Sequence, residues 1–101
     1  MSKHFVYIIQ CQDGTLYTGY TTDPVRRFKK HLSGTGAKYT RTHVPQSFVF
    51  VQQQITKTQA LQLEYKIKTL TRKQKLSLIK NNREAGLLAQ KYMGVINGNS
   101  N

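Results

Sequence analysis

Two β-prone runs separated by a turn signal constrain this chain more than any other feature. Phe5 to Gln10 is almost entirely β-branched or aromatic, Leu16 to Thr21 is a second such run, and Asp13-Gly14 lies between them. Strands joined this closely pair as an antiparallel hairpin, and loop length decides which side chains share a face. A two-residue Asp13-Gly14 turn pairs Gln12 with Thr15, opposes Tyr7 to Tyr20 and sends Tyr17 to the other face. A three-residue loop, Gln12-Asp13-Gly14, pairs Cys11 with Thr15 and puts Gly14 in the left-handed position of a turn with a bulge. Gly19 then faces Tyr7 and Ile9 faces Tyr17. The two phenols become diagonal neighbours, roughly 7–8 Å apart at the backbone, with a hollow over Gly19.

The remaining elements follow from caps and periodicity. Asp23 reads as an N-cap with Pro24 at the first helical position, and the helix runs through Leu32 to a left-handed stop at Gly34. Val25, Phe28 and Leu32 form its expected buried stripe. Residues 34–47 show no period and read as a basic loop. Phe48 to Val51, extended towards Ile55, is the continuous apolar run of a covered strand. Thr56/Gln59 and Thr71/Gln74 have capping-box spacing. They open one helix with the stripe Ala60, Leu63, Ile67 and Leu70, and a second carrying Leu76, Leu78 and Ile79. Gly86 interrupts any longer helix, and Gly94 to Asn101 is expected to fray. The order β-β-α-β-α-α makes an α/β fold, a small sheet covered by helices. Residues 1–83 form one domain in this reading, and 84–101 a partly disordered C-terminal extension.

At 101 residues such a domain buries a core without metal or disulfide staples. A lone cysteine, Cys11, forms no internal bridge and points to the reducing cytoplasm. The longest apolar run, Phe5 to Ile9, falls far short of the ~18–20 residues of a membrane span, so no membrane partner is expected.

Charge defines the partner class. Sixteen Lys and Arg stand against four Asp and Glu, a net charge of +12, which calls for a polyanion and first of all a nucleic-acid backbone. Of the four acids, Asp13 serves the turn, Asp23 the helix cap, and Glu84 a polar segment. Glu64 is the odd one, because it shares a helix face with Ala60 and Ile67. A carboxylate beside an apolar stripe needs a cation. An ion pair with a nearby Lys or Arg is the ordinary solution. A hard divalent ion is the other, since Mg²⁺ often takes only one or two protein carboxylates.

In the first helix Arg27 and His31 lie one turn apart on one flank, while Arg26, Lys29 and Lys30 point to solvent. A guanidinium held at the edge of a core suits a phosphate, although a basic run is more commonly just a solvated face. Lys38, Tyr39, Thr40 and Arg41 interleave cations with an aromatic ring, useful against a backbone and a base. His4, His43 and Cys11 have no metal-ligand spacing.

Tyrosines on both hairpin strands, an arginine ten residues after the second and a glutamate on a later helix together resemble the GIY-YIG nuclease family, specifically its small stand-alone bacterial branch. Phe5-Val6-Tyr7 stands in place of the GIY triplet, Tyr17-Thr18-Gly19 in place of YIG, and Gly36-Ala37-Lys38-Tyr39-Thr40 extends the likeness. The resemblance implies a three-stranded antiparallel sheet flanked by helices and a metal-dependent endonuclease hydrolysing phosphodiester bonds, DNA before RNA. It implies catalytic roles for Tyr7, Tyr17, Arg27, His31 and Glu64, with one Mg²⁺ or Mn²⁺ on Glu64. Gly19, Arg26, Lys30, Lys38, Tyr39 and Arg41 are the expected substrate contacts. Two departures stand out: Phe5 replaces the first glycine of the motif, and Tyr20 stands where some members have lysine. Family enzymes usually carry an added DNA-binding domain, so a protein partner supplying affinity is expected here. The rival reading is a binding module that keeps the fold without cleavage. A basic ribonucleoprotein component would account for the charge but not for Glu64.

Overall fold

The computed structural model describes residues 3–98. Eight elements follow in order: β1 (His4–Cys11), β2 (Leu16–Thr21), α1 (Pro24–Leu32), α2 (Lys38–Thr42), β3 (Pro45–Gln54), α3 (Lys57–Lys68), α4 (Arg72–Asn81) and α5 (Arg83–Ile96). The strands form one antiparallel sheet in the order β2-β1-β3. β1 is central and covered on both faces, which is why Phe5 to Ile9 is apolar without a break. No helix of the described residues is long and apolar enough to cross a membrane.

The hairpin takes the three-residue loop. Cys11 N–H donates to the Thr15 carbonyl at 2.8 Å, Gly14 N–H donates to the Cys11 carbonyl at 2.9 Å, and Gly14 has φ +86°, the left-handed region that favours glycine. Tyr7 consequently faces Gly19, and Ile9 faces Tyr17.

Alternation along β1 divides the core. Phe5, Tyr7, Ile9 and Cys11 join Phe28, Phe48, Val51 and Ala89 on one face. Val6 and Ile8 join Phe50, Ala60, Ile67 and Ala85 on the other. Phe48 and Phe50, two residues apart, would share a face in a regular strand. They do not, because the pairing jumps from Ile8↔Phe50 to Ile9↔Phe48 and leaves Val49 without a β1 partner. This β-bulge turns Phe48 towards Tyr7.

All three expected helix caps form. Asp23 accepts from Arg26 N–H, and Thr56 and Thr71 make complete capping boxes with Gln59 and Gln74. Three expectations need correction. The α1 stripe is Pro24, Phe28 and His31, while Leu32 is 51% exposed and Val25 only half-buried, because His31 has polar partners inside that an imidazole can satisfy and a leucine cannot. Residues 34–47 are not a single loop, since they contain α2 and the start of β3. The segment 84–101, expected as a frayed extension, is instead α5 as far as Ile96, its N-terminus capped by the Asn82 side chain. Residues 99–101 of that segment lie outside the described residues.

Gly86 fails to break α5 because tertiary packing outweighs its propensity cost of about 1 kcal/mol. Ala85 and Ala89 are buried, and Leu88, Tyr92, Met93 and Ile96 pack onto the Tyr7 face of the sheet. Met93 Sδ also accepts the Phe48 N–H at 3.3 Å, close to the bulge. Ending the chain after Asn82 removes these half-buried side chains, worth roughly 1 kcal/mol each. A loss of about 3–4 kcal/mol of unfolding free energy is expected from urea titration. A midpoint equal to that of the full chain would show that α5 adds nothing to the core.

Candidate active site

The site begins with Tyr7. Its side chain is 1% exposed, and its ring end occupies the space where a Cβ at position 19 would stand. The hollow expected over Gly19 is therefore filled, and glycine is required there so that the ring can lie flat across β2. Tyr7 Oη is hydrogen-bonded to His31 Nε2 at 2.9 Å, and His31 Nδ1 to Thr40 Oγ1 at 2.8 Å. A Cβ on Gly36 would strike the same imidazole. Phe48 packs edge-on against Tyr7 with ring centres 5.4 Å apart.

The other expected residues converge on this point from separate elements. The Tyr17 ring lies 6.2 Å from that of Tyr7 and 5.3 Å from that of His31, half-buried. Arg27, half-buried on α1, and Glu64, on α3, both lie close enough to act electrostatically on the Tyr7 phenol. That holds although the apolar stripe of α3 belongs to the opposite face of the sheet. Burial raises the Tyr7 phenol above its ordinary value of about 10. Tyr17 adds to the rise, Arg27 opposes it and Glu64 adds again, so Tyr7 is held protonated in the free protein. Burial, then Arg27, presses His31 down to about 4, so it is neutral at pH 7.

Glu64 has the ordinary partner foreseen for it. Lys68, one turn on and half-exposed, holds its Oε2 at 3.1 Å, while the Glu64 side chain itself is 18% exposed. The described residues hold no group of three or more His, Cys, Asp or Glu that could enclose a metal. What they offer a hard divalent cation is one carboxylate whose lysine partner sits on a flexible, solvated arm. That fits Mg²⁺, which keeps most of its shell as water and phosphate oxygen.

Of the six expected substrate contacts Gly19 needs correction, since it is buried beneath the Tyr7 ring and offers no surface to a strand. The other five divide into two groups. Arg26 and Lys30, both exposed, join Arg27, Thr21, Thr22 and Asp23 around a hollow of about 250 Å³ at the start of α1. Lys38 and Arg41 are exposed on α2, and Tyr39 stacks on Tyr17 at 5.6 Å. Three residues assigned no part in the site by the sequence reading complete the surroundings. Thr40 is buried against His31, and although it belongs to the 36–40 run quoted for the likeness, nothing in that run marks its contact with the imidazole. His43 stacks on Tyr39 at 4.1 Å and meets the Asp13 carboxylate at 2.7 Å. Asp13 is thereby more than a turn residue: hydrogen bonds from Thr15 and then His43 pull its carboxyl down to about 2.

The buried imidazole makes stability pH-dependent. The unfolded chain takes up the His31 proton near pH 6.5 and the folded chain only near 4, so its share of stability is complete above about 6.5 and drains as pH falls. Between pH 6.5 and 4 wild type should lose roughly 3 kcal/mol more than a His31→Phe variant, measured by urea titration at each pH. Equal losses would show that His31 carries no such linkage.

Comparison with known proteins gives three findings. The model of the GIY-YIG catalytic domain matches residues 3–77, ending before α5. A UPF0213 protein of Staphylococcus epidermidis is 53% identical over 79 residues, which are 78% of this chain and 96% of that protein. One from Staphylococcus aureus strain N315 is 52% identical over 80 residues, 79% and 98% of the two chains. Two solution NMR structures share the fold. The UPF0213 protein BH0048 from Bacillus halodurans is 47% identical, covering 82% of this chain and 86% of its own, with a TM-score of 0.53. The protein EF2693 from E. faecalis is 43% identical, covering 79% and 85%, with a TM-score of 0.57.

Proposed function

The chain belongs to the GIY-YIG family, a nuclease family, and from that membership we propose that it is a cytoplasmic, divalent-metal-dependent endonuclease acting on DNA in preference to RNA. The observation that carries the reading is geometric: the buried Tyr7 hydroxyl is bonded to His31, the Tyr17 ring lies 6.2 Å from that of Tyr7 and 5.3 Å from that of His31, and Arg27 and Glu64 stand within electrostatic reach of the same phenol.

In this reading Glu64, freed from Lys68, would hold one Mg²⁺ or Mn²⁺, which would supply Lewis-acid stabilisation of the charge that develops on the reacting phosphate. Arg27 offers its planar fork to the scissile phosphate. Arg26 and Lys30 hold a neighbouring phosphate in the hollow beside it, and Lys38, Tyr39 and Arg41 meet the strand further along. Tyr17, still half-exposed, orients the attacking water. Tyr7 takes a proton from that water as it passes its own hydroxyl proton to His31 Nε2, so free phenolate never accumulates. The water oxygen bonds to phosphorus, the bond to the leaving oxygen breaks, and that oxygen takes a proton from solvent. As product leaves, His31 returns its proton to Tyr7 and Tyr7 gives up the one taken from water to solvent, which restores the starting state. The phosphate charge set against Arg27 relieves the guanidinium's pressure on His31, which makes the imidazole a better acceptor when substrate is bound.

Two features favour the rival, a binding module that does not cleave: Tyr7 is buried and protonated, and Glu64 is engaged by Lys68. A cleavage assay with and without Mg²⁺, run beside a gel shift on duplex, single-stranded and branched DNA and RNA, separates the two. Glu64→Ala and Arg27→Ala are each expected to reduce metal-dependent cleavage by about 100-fold or more with the fold intact. Undiminished cleavage in both variants would place the activity elsewhere. Binding without cleavage by wild type, with or without a protein partner, would favour the rival. The double variant Arg26→Ala/Lys30→Ala should weaken binding and lower the slope of log K against log salt by about 2. An unchanged slope would remove those residues from the phosphate path.

A further inference from the structure

α2 is five residues long, lacks a side-chain cap, and buries a single residue, Thr40. What this short helix delivers is one hydroxyl. Thr40 Oγ1 stands 2.8 Å from His31 Nδ1 and 2.9 Å from the Ala37 carbonyl oxygen. Gly36, immediately before α2, leaves no room for a Cβ beside the imidazole, so the ring is confined on that side as well.

We propose that Thr40 is a positioning residue that fixes His31 as the Nδ1–H tautomer, with Nε2 bare and turned to Tyr7. The argument is a count of hydrogens. Among the described residues His31 is the one hydrogen-bond partner of the buried Tyr7 hydroxyl. A buried hydroxyl must donate, so Nε2 accepts and carries no hydrogen. The neutral ring then has its hydrogen on Nδ1, where Thr40 Oγ1 accepts it. Thr40 directs its own hydrogen to the Ala37 carbonyl, so the three side chains are satisfied, and the one contact given up is the 3.4 Å approach of the part-exposed Ala37 N–H to Nδ1. In the opposite arrangement Nδ1 is bare and receives both the Thr40 hydroxyl and the Ala37 N–H. The Ala37 contact is 3.4 Å, too long to be a good bond, and Tyr7 is left with a buried hydrogen and no acceptor.

The catalytic consequence rests on the reading of Tyr7 and His31 given above: a ring protonated on Nε2 cannot receive the Tyr7 proton. The tautomer itself is independent of that reading and is measured without substrate. Long-range ¹H–¹⁵N correlation spectra of the full chain at pH 7 separate a pyrrole-like from a pyridine-like ring nitrogen. Wild type and Thr40→Ser are expected to show His31 with its hydrogen on Nδ1. Thr40→Val, which keeps the shape and loses the hydroxyl, is expected to move the hydrogen wholly or partly to Nε2. A wild-type spectrum with the hydrogen on Nε2 overturns the proposal with no variant needed, and so does a Thr40→Val spectrum identical to wild type. Cleavage measured in parallel should fall ten-fold or more in Thr40→Val and stay within about two-fold of wild type in Thr40→Ser. If the tautomer shifts as expected but wild type cleaves nothing, Thr40 keeps its role and the nuclease reading falls.

Discussion

A single hydrogen bond in a dry place, Tyr7 to His31, organises the fold around it. Both groups are withdrawn from water, so each must be met by the other or leave a polar atom stranded at considerable cost. The bond ties the central strand to the first helix, and its geometry dictates what surrounds it. Position 19 must lack a side chain, position 36 must lack one too, and Phe28 and Phe48 close the remaining sides. The inversion in α1, with a histidine inside and a leucine outside, is the same constraint seen from the helix.

The charge distribution builds outward from that core. With four acids against sixteen basic residues, three of the carboxylates have a defined partner, and the fourth, Glu84, lies in the first turn of α5. Asp23 caps α1, Glu64 rests on Lys68, and Asp13 binds Thr15 and His43. The Asp13 contact reaches further than its own loop. It fastens the hairpin tip to the residue that ends α2, whose ring stacks on Tyr39, which in turn stacks on Tyr17. An exposed acid thus sets the orientation of the second tyrosine through two aromatic faces, while Thr40, on the same short helix, serves the first.

How much was legible in the sequence follows from the range of the forces involved. The hairpin register was readable only as one of two choices, because both turns want a left-handed Gly14; what decides is Asp13, which the two-residue turn would also need left-handed and which is not. Helix starts were readable because Asp23, Thr56 and Thr71 act on backbone groups three residues away. Glu64 could be singled out because a charge on an apolar stripe is conspicuous in one dimension. α2 left no trace, since a five-residue helix has no period, and Thr40 looks like any threonine until His31 is beside it. α5 was hidden by Gly86 and by small buried alanines that carry little hydropathy. Its stability comes from β3 and α1, distant in the chain. The basic residues were legible as a class, but not which of them surround the hollow at the start of α1.

The bulge at Val49 has a consequence for how the molecule avoids wrong partners. β3 lies at the edge of the sheet, and a regular edge strand can slide along its neighbour by two residues with the same side chains still facing inward. With Phe48 and Phe50 out of phase, no such translation keeps both rings dry. The break in alternation therefore acts as a ratchet tooth: it admits one alignment of the strand and makes its shifted forms, and mispairing with a second chain, costly from the outset.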